Sequence, residues 1–131
     1  MDERNAEVAT QAISAFNGGD VDAFATLTTP DFEWSPSMVA IEGETFVGRE
    51  GIEEYFRRLH DAWEKFQIHV DRFRHSADQV IMLGRLEGLG KTSGVPVDSP
   101  LGMVFDFRGG TISRIRGFLD HDEALRADVN R

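Results

Sequence analysis

The sequence has no cysteine among its 131 residues. That excludes disulfides, thiolate metal sites and a cysteine nucleophile. Tyrosine occurs once, at Tyr55, and proline only four times. Basic charge is scarce: 14 Lys and Arg stand against 23 Asp and Glu, for a net charge of −9. A chain of that sign is poorly suited to nucleic acid or to an anionic membrane, so neither partner is expected. No apolar run nears the ~20 residues of a membrane helix. The start, MDERNAEVATQAISAF, lacks the basic residues and apolar run of a secretory signal. These absences predict a cytoplasmic protein. None of the four histidines (His60, His69, His75, His121) pairs with another at i, i+4. No Gly-rich phosphate loop is present either, so neither a metal nor a cofactor is expected.

What is present is ordinary globular composition, 40% hydrophobic and 28% charged. Its length predicts one domain over 1–131. Val8, Ala9, Ala12, Ile13 and Phe16 recur at helical spacing and predict a helix over 3–17, stopped by Asn17-Gly18-Gly19. Asp20 suits the N-cap of a short second helix with Phe24 and Leu27 inward. Phe32-Glu33-Trp34 alternates as a short strand, and Ser35 to Gly48 reads as a loop. Ile52, Tyr55, Phe56, Leu59, Trp63 and Phe66 form one apolar stripe and predict a helix running to Phe66. From Phe66 onward the period changes to two. Strands are predicted at 66–71, 79–90, around 101–107 and over 112–119, joined by turns at Lys91–Gly94 and Arg108–Thr111. Asp120 and Glu123 have the spacing of a capping box that opens a last helix over 121–128. Helices first and antiparallel strands after predict an α+β fold.

Three stretches carry a family resemblance: Asn17-Gly18-Gly19-Asp20-Val21-Asp22-Ala23-Phe24, Pro30-Asp31-Phe32-Glu33-Trp34 and Gly48-Arg49-Glu50-Gly51-Ile52. With the tail Gly110-Thr111-Ile112-Ser113-Arg114 through Asp120, they resemble the SnoaL-like branch of the nuclear transport factor 2-like and ketosteroid isomerase-like superfamily. The resemblance implies a cone, a cystatin-like α+β roll. In it a curved mixed sheet wraps a long helix, with a pocket at the open end and homodimerisation through the sheet. It implies a wall of Trp34, Met38, Phe46, Tyr55, Leu59, Trp63, Met103 and Phe105. Aromatic and methionine side chains make an adaptable apolar surface suited to a small hydrophobic molecule. For Leu59 and Phe105 plain core is the stronger reading, and the Tyr55 hydroxyl is placed to orient a ligand.

The family's catalytic groups do not carry over. The isomerase base would fall in Trp34-Ser35-Pro36, which has no carboxylate, and the two oxyanion donors would fall near Ala12 and Met103. The cyclase acid would fall at Gly117. Candidate substitutes are Glu33, Arg85, Glu87 and Asp120. Arg85-Leu86-Glu87 puts a cation and an acid on one strand face. The same register gives Gly84, Leu86 and Gly88 an equally good inner face, which makes Arg85 and Glu87 an outward ion pair or dimer contact. Asp120 equally fits a helix cap. The expected function is an apolar-molecule pocket protein. Either it is an isomerase-, cyclase- or hydrolase-like enzyme on a polyketide-, steroid- or terpenoid-like metabolite, or it is a non-catalytic homodimeric binding or interaction module. Dimerisation also follows from apolar residues on both strand faces, of which one chain's helices are expected to cover only one.

Overall fold

The computed structural model describes residues 2–36, 45–76 and 78–129, the side chains of 2, 3, 76, 128 and 129 excepted. The first helix, α1 (Asp2–Asn17), buries Ala9, Ala12, Ile13 and Phe16, the stripe set by their 3.6-residue spacing. Gly19, at φ 69°, supplies the left-handed residue after its end. Asp20 caps α2 (Val21–Ala25) by accepting the Ala23 amide at 3.0 Å, and Phe24 is buried beneath it.

Strand β1 spans Thr28–Ser35, longer than the alternation Phe32-Glu33-Trp34 indicates. It runs parallel to the last strand, and its register shifts between Thr28 and Glu33, the segment that holds Pro30. A proline is tolerated where a ladder is irregular, which hides this part of the strand from the sequence. β2 (Phe46–Val47) pairs with β1 inside the stretch expected to be loop. Two residues are too few to show a period.

Helix α3 (Gly48–Ala62) stops one turn earlier than the apolar stripe predicts. Trp63 is already extended, at φ −124° and ψ 133°, and opens β3 (Trp63–Ser76). The ladder to β4 (Gln79–Gly90) begins at Trp63 opposite Gly90. The Trp63 indole lies over Gly88, where an added Cβ would sit 3.1 Å from the ring. Trp63 and Phe66 thus keep the helix's spacing while serving the sheet.

β5 (Pro96–Arg108) and β6 (Thr111–Phe118) follow, then α4 (His121–Val129). The sheet order is β2-β1-β6-β5-β4-β3, antiparallel except between β1 and β6. It is an open, curved, mixed six-stranded sheet in an α+β chain.

The inner face carries Phe32, Trp34, Met82, Leu86, Met103, Phe105 and Ile115, packed with α1, α2 and α3 into one core. Phe16 stands at its centre, with ring centroids 5.8 Å from Trp34, 5.6 Å from Phe56 and 5.7 Å from Phe66. The outer face carries Ile81, Leu83 and Val104, and here the structure corrects an expectation. These residues are covered by the chain's own α4 through Ala124, with Phe118 and Leu125 at the margin. Gly102 permits the approach: a Cβ there would lie 2.4 Å from Ala124 Cβ. Apolar residues on both strand faces therefore do not require a second chain to cover them.

β3 is an edge strand, and Asn17 closes part of that edge. Its carboxamide donates to the Ile68 carbonyl and accepts the Ile68 amide, each at 2.9 Å. An exposed row of unpaired backbone groups is a template for wrong pairing, so a side chain that satisfies both groups of one residue protects it.

Candidate ligand cavity

The inner face holds a partly open apolar cavity of about 30 Å³. β1 contributes Trp34, α3 contributes Tyr55, β5 contributes Met103, and β4 and β6 contribute Leu86 and Gly117. Phe16 and Phe66 close one side. As it stands the volume holds one or two water molecules, so a ring enters only where a wall side chain moves aside.

Tyr55 and Trp34 form the polar part of the wall. Tyr55 is 3% exposed, its ring edge-on to Trp34 at 4.3 Å and backed by Phe46 at 5.2 Å. Trp34 is stacked on Phe24 at 4.8 Å. Neither the Tyr55 hydroxyl nor the Trp34 indole N–H has a hydrogen-bond partner among the described residues. Burial pushes the Tyr55 ionisation far above its ordinary value of 10. The hydroxyl is therefore a neutral donor, never a base near neutrality. The hydroxyl oxygen is not sealed off from the cavity, so an acceptor atom entering there can take its hydrogen bond.

The four charged candidates all lie away from this cavity. Glu33 is exposed on the opposite face of β1 from Trp34. Arg85 points outward and holds Asp98 at 3.1 Å. Glu87, also outward, accepts from His69 at 2.8 Å and Lys65 at 3.4 Å, and these two, His69 first, hold its carboxyl below the usual range. The inner face at this point is Gly84, Leu86 and Gly88, the alternative the period of two had allowed. Asp120 accepts the Asp122 amide at 2.7 Å and so caps α4. No bond from Glu123 back to Asp120 completes a box among the described residues. Asp120 thus acts on the helix rather than on the cavity.

The expected apolar wall divides. Trp34, Tyr55 and Met103 line the cavity. Phe46 stands behind Tyr55, and Phe105 lies deeper, fully buried in the core. Met38 is outside the described residues. Leu59 and Trp63 line a separate surface groove of about 300 Å³ between the end of α1 and the α3–β3 junction. Phe16, Phe66, Ile68, Leu86 and Leu101 were not singled out from the sequence as lining residues. Phe16 and Leu86 had signals, the first as the last apolar position of the α1 stripe and the second in its alternation with Gly84 and Gly88. The others needed the strand register.

Among the described residues no group of three or more His, Asp or Glu is placed to hold a metal, and no helix is long and apolar enough to cross a membrane. The position matching the cyclase acid, Gly117, does face the cavity and has no side chain to offer.

No functionally curated protein matches the sequence. Solved structures do. Bal32a, from a soil-derived mobile gene cassette, has a TM-score of 0.78 at 28% identity, covering 89% of each chain. A candidate polyketide cyclase from Xanthomonas campestris pv. campestris has a TM-score of 0.79 at 21% identity, covering 95% of this chain and 96% of that one. TerC, co-crystallised with polyporic acid, has a TM-score of 0.79 at 20% identity, covering 98% and 99%. The profile of the SnoaL-like domain matches residues 9–115. With its open curved sheet, three helices on the inner face and this match over most of its length, the chain belongs to the SnoaL-like family.

Proposed function

We propose that the protein binds a small, flat, apolar molecule of the polyketide-, steroid- or terpenoid-like class inside the curved sheet. The observation that carries the reading is the apolar wall of Trp34, Met103 and Leu86 around the Tyr55 hydroxyl, which has no partner among the described residues. Such a wall binds by area, and the donor fixes orientation. Structural similarity to TerC, co-crystallised with polyporic acid, and to a candidate polyketide cyclase supports the ligand class.

If the ligand is also transformed, the chemistry open to this wall is isomerase- or cyclase-like. Tyr55 would donate to a carbonyl oxygen as charge develops there. No carboxylate or imidazole among the described residues stands in the cavity to take a proton. That absence of a positioned base favours the second reading, a non-catalytic ligand-binding module. A homodimer formed through the charged outer face of β3 and β4 belongs to either reading, since Lys65, His69, Arg85, Glu87 and Asp98 offer both signs to an identical surface.

The test is a thermal-shift screen against neutral polycyclic ketones and quinones, followed by mass analysis of each hit after incubation. A ligand at a hundred times its Kd adds about 2.7 kcal/mol of apparent stability. Stabilisation with the ligand recovered unchanged supports the binding module, and stabilisation with a changed mass supports the enzyme. A panel without any stabilising compound contradicts both.

A further inference from the structure

The inner cavity, at about 30 Å³, is too small for any ring, while the groove beside it holds about 300 Å³. The two are adjacent, because Phe16 and Phe66 line both. Their rings meet edge to face at 5.7 Å and form the partition. Phe16 is fixed by four aromatic neighbours: Trp34, Tyr55, Phe56 and Phe66. Phe66 is only partly buried, sits on the edge strand β3 and touches just Phe16 and Trp63 among the rings. Of the two, Phe66 is the side chain held by fewer rings.

We propose that cavity and groove are the two chambers of one binding site, with Phe66 as the door between them, and that the site takes an elongated, uncharged molecule. This rests on reading the inner cavity as the ligand site. With Phe66 turned aside, the space it vacates joins the inner cavity, and the apolar ring end lies there under Trp34 and Tyr55, with an acceptor atom on the Tyr55 hydroxyl. The outer end lies along Phe56, Leu59 and Trp63, where His60 and Gln67 offer polar atoms. The groove has one carboxylate, Glu64, and one ammonium, Lys65, so it selects neither sign of charge. Together the chambers reach the few hundred Å³ typical of small-molecule sites. The door also reunites residues that the sequence groups and the closed structure separates: Trp34, Tyr55 and Met103 on one side, Leu59 and Trp63 on the other.

The probe is N-phenyl-1-naphthylamine, a neutral three-ring compound whose fluorescence rises in apolar surroundings. It is titrated into, and mixed by stopped flow with, the wild type and four variants. Phe66→Ala and the milder Phe66→Val open the door, Met103→Phe fills the inner chamber, and Leu59→Arg charges the outer one. Circular dichroism and melting establish that each variant is folded. Binding through a door that is mostly closed scales with the open fraction, so both Phe66 variants should raise the association rate roughly tenfold. Met103→Phe and Leu59→Arg should each weaken affinity by roughly tenfold, since each removes one chamber. If Met103→Phe weakens binding but folded Phe66 variants keep the wild-type rate within about twofold, the door is overturned while the cavity remains the ligand site. If Met103→Phe changes nothing, the cavity reading and the two-chamber site fall together. Failure of the wild type and both Phe66 variants to bind the probe also overturns the proposal.

Discussion

Tyr55 is the residue on which the account turns, and its environment sets its chemistry. It is buried against Phe16, Trp34 and Phe46, its hydroxyl lacks a partner among the described residues, and burial raises its ionisation far above 10. Because it is the only tyrosine, ultraviolet titration at the phenolate band reports on it alone. No phenolate signal should appear as the pH rises past 10 until the protein unfolds, and then it should appear with the loss of ellipticity. The sign follows from linkage: unfolded Tyr55 ionises above its ordinary value and folded Tyr55 does not, so stability is lost as pH climbs through that value. A phenolate signal in the folded protein near pH 10 would refute its burial. Tyr55→Phe should leave the melting temperature nearly unchanged, because the hydroxyl it removes bonds to no described residue. The same variant should lose its preference for ketone ligands over their deoxygenated analogues. Trp34, Tyr55 and Met103 were legible as lining residues because large apolar side chains sit at inward positions of elements whose type was clear. Their unpartnered donors were not legible, since partners come from packing.

Elements were legible where their period ran without interruption. α1 and β4 lie where their apolar spacing puts them, while β3 and β5 run beyond the expected 66–71 and 101–107, to Trp63–Ser76 and Pro96–Arg108. The misreadings have physical causes. A stripe at 3.6 spacing ran through Trp63 and Phe66, but pairing with β4 begins at Trp63 and ends the helix at Ala62. That boundary sends Leu59 and Trp63 to the groove instead of the cavity. Asn17 read only as a helix end, yet its carboxamide makes both backbone bonds of Ile68. Asn17→Ala should therefore cost about 1–3 kcal/mol, beyond the few tenths expected of a cap alone, and should speed amide exchange at Ile68. A change of a few tenths, with exchange at Ile68 unaltered, would show the edge is held by other means. Gly102→Ala tests the seat of α4 in the same way. The new Cβ meets Ala124 Cβ at 2.4 Å, so the helix must lift, at a cost of roughly 1–3 kcal/mol seen as a lower melting temperature.

At the scale of the molecule, the sheet's two faces have different roles. The inner face packs against three helices around one small apolar void, and the outer face divides between an apolar half under α4 and a charged half on β3 and β4. The polar residues that the family's pattern recommended, Arg85 and Glu87, belong to that charged half. They were ambiguous in sequence because a register shift of one residue exchanges the faces of a strand. Resemblance identified the family correctly, and strand facing for Glu33, Arg85 and Glu87, with a helix cap for Asp120, then puts all four charged candidates away from the cavity. What remains inside is surface area and a donor, the makings of a binding site. The most direct test is a crystal structure of the protein with the ketone or quinone that stabilises it most. The account predicts ring density between Trp34 and Met103 with an acceptor oxygen at roughly 2.7 Å from the Tyr55 hydroxyl. A ligand bound elsewhere, with the cavity still near 30 Å³, would contradict it.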